Sequence, residues 1–123
     1  MLKLMIVDDS NIIRSKIKRS IDEKKFDLVA TACNGLDAIE MFKWHQPDVV
    51  TMDLTMPHMD GIDCIEQLVA IDPKVAILVV SALSDEATGI EALEKGANGF
   101  LLKPFSEDDL QHALIELTDV EYV

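Results

Sequence analysis

The chain predicts an α/β fold in which five parallel strands alternate with five helices that cover both faces of one sheet. Five short apolar runs are nearly continuous rather than alternating, which indicates strands that are buried on both faces. Each run is followed by a segment whose apolar residues repeat every three or four positions, as in an amphipathic helix. Strict alternation of the two patterns favours a parallel sheet with right-handed crossovers. The length of 123 residues predicts one domain, residues 1–123.

The strand segments are short and rich in residues with high β-propensity. Pro47 and Pro73 precede the third and the fourth of them. In chain order, the predicted strands are Leu2–Val7, Leu28–Ala32, Val49–Met52, Val75–Val80 and Gly99–Leu102.

The helical segments are recognised by their apolar repeats and by the residues at their ends. Gly96 follows the fourth helix, where a left-handed C-cap favours glycine. Ser106 and Asp109 predict a capping-box start for the fifth. Asn34-Gly35 and Asp60-Gly61 break the chain before the second and third helices. The repeats are Ile13, Ile17, Ile21; Leu36, Ile39, Phe42; Ile62, Ile65, Leu68; Ala87, Ile90, Leu93; and Leu110, Ala113, Leu114, Leu117.

The hydrophobic content of 49% is normal for a globular protein and too high for a disordered one. The net charge of −12 argues against binding to nucleic acids or to anionic membrane surfaces. A protein that grips the backbone of DNA or RNA needs clustered Lys and Arg, and an anionic membrane surface attracts the same residues. No apolar run approaches the length of a membrane span, and the N-terminus lacks the features of a signal peptide. We expect a cytoplasmic protein.

Cysteine and histidine do not predict a disulfide framework or a metal site. Cys33 and Cys64 are far apart, which favours free thiols in a reducing compartment. His45, His58 and His112 are scattered and do not share a helical face at ligand spacing.

Polar residues follow the predicted strands at the edge where parallel sheets bind ligands. Asp8 and Asp9 follow the first strand, Asp53 the third, Ser81 the fourth and Lys103 the fifth. Each has an ordinary structural interpretation, since an Asp after a strand is often a helix N-cap and a Ser is often a turn residue. The combination at one edge favours a site.

The chemistry of such a cluster points to phosphoryl transfer. Three neighbouring carboxylates repel one another, so a pKa rises or a cation is bound. Oxygen ligands of this kind suit Mg²⁺, and a carboxylate is also a nucleophile that forms an aspartyl phosphate. A Lys and a hydroxyl opposite would hold the remaining phosphoryl oxygens.

Four motifs resemble those of response-regulator receiver domains. They are IVDDS at 6–10, PDVVTMDLTMPHMDGI at 47–62, VVSA at 79–82 and GANGFLLKPF at 96–105. The resemblance spans the whole chain, with the motifs in the family's order and spacing. The length and the second motif are most similar to stand-alone chemotaxis regulators of the CheY type. That type exemplifies the flavodoxin-like strand order 2-1-3-4-5, which the resemblance therefore implies.

The resemblance also implies roles for the clustered acids. Asp53 would accept the phosphoryl group and also contact the metal. Asp8 and Asp9 would hold Mg²⁺ directly or through water, and the backbone carbonyl of Thr55 would be a further ligand.

The other matched positions would bind the phosphoryl group and change conformation in response to it. Lys103 would pair with the group, Ser81 would donate its hydroxyl to it, and the Lys103–Pro104 bond would be cis. Phe100 stands at the switch aromatic position, where many relatives have Tyr. It can rotate inward but cannot form the hydroxyl hydrogen bond of Tyr.

The implied function is a phosphorylation-activated switch rather than an enzyme with a separate substrate. A sensor histidine kinase would donate from a phosphohistidine, and the face made by helix four, strand five and helix five would then change to bind a partner. That partner would be a protein such as a flagellar motor switch protein, with a phosphatase as a further possible partner. Hydrolysis would end the signal, with Thr55 and Leu83 flanking the route of the water.

Other functions remain open at this point. The chain could be the receiver of a longer response regulator, or a stand-alone receiver that controls an enzyme or shuttles phosphate. An aspartyl-phosphate phosphatase of the haloacid dehalogenase type is remote, because Thr55 stands where those enzymes carry the second Asp of D-x-D. A nucleotide switch would need a P-loop motif, which the chain lacks. A flavodoxin-like electron carrier would share the fold only.

Overall fold

The computed structural model describes residues 1–82 and 86–118. Leu83 and the last five residues, 119–123, lie outside the described residues, so the predicted role of Leu83 stays a prediction. No helix among the described residues is long and apolar enough to cross a membrane. The elements are β1 (Leu2–Val7), α1 (Asn11–Ser20), β2 (Phe26–Ala32), α2 (Gly35–His45), β3 (Val49–Met52), α3 (Gly61–Ile71), β4 (Ala76–Ser81), α4 (Glu86–Glu94), β5 (Gly99–Leu102) and α5 (Glu107–Thr118).

The sheet has the order β2-β1-β3-β4-β5, and every neighbouring pair is parallel. This confirms the predicted fold class and strand order. Val7 pairs with Met52, and Met52 pairs with Val79, so β1, β3 and β4 run in step toward their carboxyl ends. The chain winds in opposite directions from β1 and β3, and the crevice between their carboxyl ends is where such sheets bind ligands.

Two apolar layers explain why the strand segments are continuously hydrophobic. Alternate residues of each strand point to opposite faces. In β1, Met5 and Val7 belong to the layer under α2, α3 and α4. Leu4 and Ile6 belong to the layer under α1 and α5, together with Phe105. Both faces of the central strands are therefore buried.

Strand boundaries differ from the predicted ones at two places. β2 begins at Phe26 rather than Leu28. Asp27 interrupts the apolar pattern there, but its side chain is exposed on an edge strand, and the buried Phe26 pairs with Leu2. β4 is shifted by one residue and includes Ser81, which pairs with Leu102.

The predicted inward face is wrong for α4, and for α2 it is wrong at Leu36 only, since Phe42 is buried and Ile39 packs against the core. In α2, Leu36 is 51% exposed, and the buried residues are Gly35, Ala38 and Phe42. In α4, the predicted residues Ala87, Ile90 and Leu93 are all exposed, and Ala92 faces the core instead. Periodicity identified both helices, but their rotation about the axis depends on which side chains fit against the sheet.

The helix ends follow the local signals closely. The side chains of Asn34 and Asp60 cap α2 and α3 by accepting hydrogen bonds from Asp37 N and Asp63 N, each at 2.9 Å. Gly96 has a φ of +123°, which favours glycine. Ser106 and Asp109 exchange two hydrogen bonds of 3.0 Å and so form the predicted capping box.

Candidate functional site

Asp8 and Asp9 follow β1, and neither is the cap of the next helix. Ser10 caps α1, because its hydroxyl accepts a 3.2 Å hydrogen bond from Ile13 N. Asp8 is buried, and its Oδ1 accepts a 2.9 Å bond from the backbone N–H of Ser10. Asp9 is exposed. The ordinary interpretation of these two acids as N-caps is therefore wrong, and both carboxylates are left facing the sheet edge.

Asp53 lies directly after β3 and is only 4% exposed. Its backbone N–H donates to the carbonyl of Val7 at 2.9 Å, which joins the ends of β1 and β3. Its Oδ1 accepts a 3.3 Å hydrogen bond from the N–H of Thr55. One oxygen each from Asp8, Asp9 and Asp53 lie within 4.8 Å of one another, so the structure brings the three predicted acids together.

Lys103 reaches the same cluster from the end of β5. Its ammonium lies 2.9 Å from Asp8 Oδ2 and 3.7 Å from Asp53 Oδ1. Its backbone N–H donates to the carbonyl of Ser81 at 2.8 Å, which ties β5 to β4. The Lys103–Pro104 bond is cis, as the resemblance implies. The one ammonium is shared between two buried carboxylates, with the shorter contact to Asp8.

The cluster carries more negative charge than Lys103 neutralises. The pKa of Asp53 is raised from 3.8 to about 6, mainly by burial and then by the negative charges of Asp8 and Asp9. Lys103 and the hydrogen bond from Thr55 act in the opposite direction. Three oxygen donors converge on this one site, and a bound divalent cation would relieve the repulsion.

Ser81 and Phe100 lie on the neighbouring strands β4 and β5. Ser81 is buried at the end of β4 and pairs with Leu102. Phe100 pairs with Val79, two residues before the Ser81–Leu102 pair. Its side chain is half-buried and packs against the apolar layer under α3 and α4. Both predicted switch residues therefore lie on β4 and β5, between β3 and the edge of the sheet, and their role in switching stays a prediction.

Two contacts at the site are not predicted from the sequence. The Arg14 guanidinium donates to the carbonyl of Asp8 at 2.6 Å and fixes the turn after β1. A Cβ at Gly61 would lie 2.3 Å from the carbonyl oxygen of Asp53, so only glycine allows α3 to begin so close to that residue. The Asp60-Gly61 pair marks this position in the sequence, but it predicts only a break in the chain before α3 and not the close approach to Asp53. The contact of Arg14 had no comparable signal.

The cysteines and histidines do not contribute to the cluster. Cys33 is exposed, Cys64 is buried, and both are free thiols. Burial raises the pKa of the Cys64 thiol to about 12, with a smaller effect from Asp60, so this thiol stays protonated. Within the described residues, the group of side chains that could hold a metal ion consists of the three aspartates and includes no histidine.

Known proteins match this chain in sequence. Residues 4–115 match the family model described as "Response regulator receiver domain". The chain is 41% identical over 114 residues to the chemotaxis protein CheY of Listeria monocytogenes, covering 93% of this chain and 96% of that protein. It is 41% identical over 112 residues to CheY of Thermotoga maritima, covering 91% and 93%.

A solved structure shares this architecture. CheY in the crystal structure of the CheX–CheY–BeF3–Mg²⁺ complex from Borrelia burgdorferi superposes with a TM-score of 0.89 at 31% identity. The match covers 94% of this chain and 87% of the other.

Proposed function

The chain belongs to the response regulator receiver family, and we propose that it is a two-component switch in which Asp53 accepts the phosphoryl group. The proposal rests on the position of Asp53 beside one positively charged and two negatively charged side chains. A carboxylate that is only 4% exposed, Asp53, lies 3.7 Å from the ammonium of Lys103 and beside the carboxylates of Asp8 and Asp9. A buried nucleophile between a cation and further acids suits transfer of a highly charged group.

The proposed reaction moves a phosphoryl group from a phosphohistidine of a sensor kinase to Asp53. A carboxylate oxygen of Asp53 forms the new bond to phosphorus, while the phosphorus–nitrogen bond of the donor breaks and the histidine keeps the electron pair. Lys103 is placed to offset the negative charge of the phosphoryl oxygens as they approach. Ser81, buried at the adjacent strand end, would donate its hydroxyl to one of them.

Mg²⁺ fits this site because the donors are carboxylate oxygens with unbalanced charge. Asp8, Asp9, Asp53 and the backbone carbonyl of Thr55 would hold it. When bound, the ion supplies positive charge that offsets the phosphoryl oxygens and the repulsion among the acids. The raised pKa of Asp53 supports this assignment, since burial and the neighbouring carboxylates of Asp8 and Asp9 together outweigh the opposing effect of Lys103.

The proposed output surface is the face of α4, β5 and α5. Ile90, Leu93 and Leu102 are each nearly half exposed there, at 49%, 49% and 46%. Movement of Ser81 toward a phosphorylated Asp53 would let Phe100 turn inward and shift the population between two packings of this face. The named relatives are chemotaxis proteins and favour a role in chemotaxis. The proposal adds a downstream protein such as a flagellar motor switch protein, a phosphatase as a further partner, and a cytoplasmic location.

The proposal makes the chain a switch that supports its own phosphoryl uptake and loss, rather than an enzyme acting on a separate substrate. An Asp53→Asn variant tests it directly. Incubated with acetyl phosphate and Mg²⁺, the parent protein should gain the mass of one phosphoryl group and the variant should gain none. Asp27→Asn is the matched control, because it makes the same charge change on an exposed strand residue. Normal uptake by Asp53→Asn would disprove the assignment.

The metal assignment has an independent test in thermal unfolding. Mg²⁺ at ten times its dissociation constant should stabilise the native protein by about 1.4 kcal/mol through mass action. Asp9→Asn should weaken this response, whereas NaCl at matched ionic strength should not reproduce it. A melting temperature that stays constant across the Mg²⁺ titration would count against the site.

A further inference from the structure

A lysine on α1 contacts the turn between β5 and α5. The Lys16 ammonium donates a hydrogen bond to the backbone carbonyl of Phe105 and lies 4.5 Å from the centre of its ring. A charged donor strengthens a hydrogen bond, and an ammonium over an aromatic ring is attracted by the electrons of the ring face. Lys16 is half-buried, whereas Lys18 on the same helix is exposed. The two contacts hold a side chain that would otherwise extend into water.

The contacted residue lies two positions after Lys103. The Phe105 ring is 4% exposed and packs in the layer that contains Ile17 of α1 and Leu110 of α5. On the other side of the turn, Lys103 N–H donates to the Ser81 carbonyl at 2.8 Å. The short segment that carries Lys103 is therefore held by β4 at one end and by α1 at the other.

A separate contact joins α1 to helix α5 one turn further along α1. The side-chain amide of Gln111 on α5 donates to the carbonyl of Ser20 at 3.0 Å, and the Ser20 hydroxyl donates to the carbonyl of Lys16 at 2.7 Å. This contact fixes α5 relative to α1 but does not reach the turn. The direct hydrogen bond from α1 to the backbone of the turn comes from Lys16.

We propose that Lys16 is a positioning residue that holds the β5–α5 turn so that the Lys103 ammonium rests against Asp8 and Asp53. The inference rests on the proposed function, because it concerns the residue that would bind the phosphoryl group. Loss of the Lys16 contacts lets the Phe105 backbone move, and Lys103 moves with it. Binding of a phosphoryl group or its mimic then weakens. Mg²⁺ binding does not weaken, since Lys103 is not a metal ligand and its positive charge opposes the ion.

The test compares the affinity for beryllofluoride at saturating Mg²⁺ with the affinity for Mg²⁺ alone, both by titration calorimetry. Lys16→Met keeps the apolar stem and removes the charge, and it should weaken beryllofluoride binding by about tenfold. Lys16→Arg can still donate to a carbonyl and stack on a ring, so it should restore affinity to within about twofold. Lys18→Met removes the same charge from an exposed position of α1 and should bind as the parent protein does.

Three results would overturn the inference. They are unchanged beryllofluoride affinity in Lys16→Met, an equal loss in Lys18→Met, and a parallel loss of Mg²⁺ affinity, which would indicate general disruption. Lys16→Gln, with urea unfolding measured for every variant, repeats the test if the Met variant folds poorly. Failure of the proposed function gives a different pattern, because the parent protein would then bind no beryllofluoride or Asp53→Asn would bind it equally well.

Discussion

Helices α3 and α4 pack against the same apolar layer, yet they are held to it very differently. α3 buries Cys64, Ile65 and Leu68 completely. Of the side chains described in α4, Ala92 alone is buried, and Ile90 and Leu93 are each 49% exposed. Because burial of a large aliphatic side chain contributes far more than burial of a methyl group, α3 is the firmly anchored helix and α4 the weakly anchored one.

The difference corresponds to the position of each helix relative to the site. α3 begins at Gly61, in close contact with the backbone of Asp53, so it must stay in place for the acidic cluster to keep its geometry. α4 lies beyond β4 and covers Phe100, where a Cβ at Gly89 would only touch the ring at 3.7 Å. A weakly anchored helix over the switch aromatic can change position at low cost, as the proposed output requires.

The largest expected effect comes from truncating a leucine in each helix. Leu68→Ala removes a fully buried side chain and should lower the free energy of unfolding by about 3 kcal/mol. Leu93→Ala makes the same chemical change on a half-exposed side chain and should cost less than about 1 kcal/mol. Urea denaturation of the two variants measures the contrast. Equal losses would show that α4 is anchored as firmly as α3.

Replacing one glycine in each helix should give the next largest contrast, because the two changes should alter the free energy of unfolding in opposite directions. Gly61→Ala places a Cβ 2.3 Å from the Asp53 carbonyl and 2.6 Å from Leu54 Cα, and should cost about 2 kcal/mol as the backbone shifts. Gly89→Ala meets only ordinary contacts and should gain about 0.5 to 1 kcal/mol from helix propensity. Thermal unfolding checks both signs, and phosphoryl uptake should fall in the Gly61 variant alone. Destabilisation by Gly89→Ala would mean that α4 needs its glycine in this packing.

The smallest expected change in stability comes from removing the ion pair between the two helices. Lys95, just after α4, lies 2.9 Å from Glu66 of α3, and the hydrogen bond with Glu66 raises the pKa of Lys95. Both side chains are largely exposed, so solvent screens the attraction. Glu66→Gln should lower stability slightly at low salt and not at high salt. A loss that persists at high salt would show that the pair contributes more to anchoring α4 than its exposure suggests.

Local features of this chain were predictable because their partners are close in sequence. The Ser106–Asp109 capping box spans three residues, and its two hydrogen bonds form as expected. Gly96 takes the positive φ that its place after α4 predicts. The meeting of Asp53 with Asp8 and Asp9, which are distant in sequence, was predictable for another reason, because the carboxyl ends of neighbouring parallel strands share one edge.

Features that depend on how helices dock were not predictable in the same way. Leu36 and Leu93 fit a helical period but lie outside, because the rotation of each helix follows from the space against the sheet. The contact of Lys16 with Phe105 joins residues 89 positions apart. Nothing near either residue marks it, since α1 and the β5–α5 turn meet only when the sheet is complete.

The sequence by itself determined the order of strands and helices, the motifs of the family, and the edge at which the acids and Lys103 meet. The order of elements follows from periodicity and the shared edge from the common direction of parallel strands, whereas the motifs are recognised by their resemblance to those of the family. Only the tertiary structure decided that Asp53 is buried, that Lys103 lies closer to Asp8 than to Asp53, and that α4 is weakly anchored. Burial and pairing are properties of the packed chain, because they depend on which distant side chains fill the space around each group.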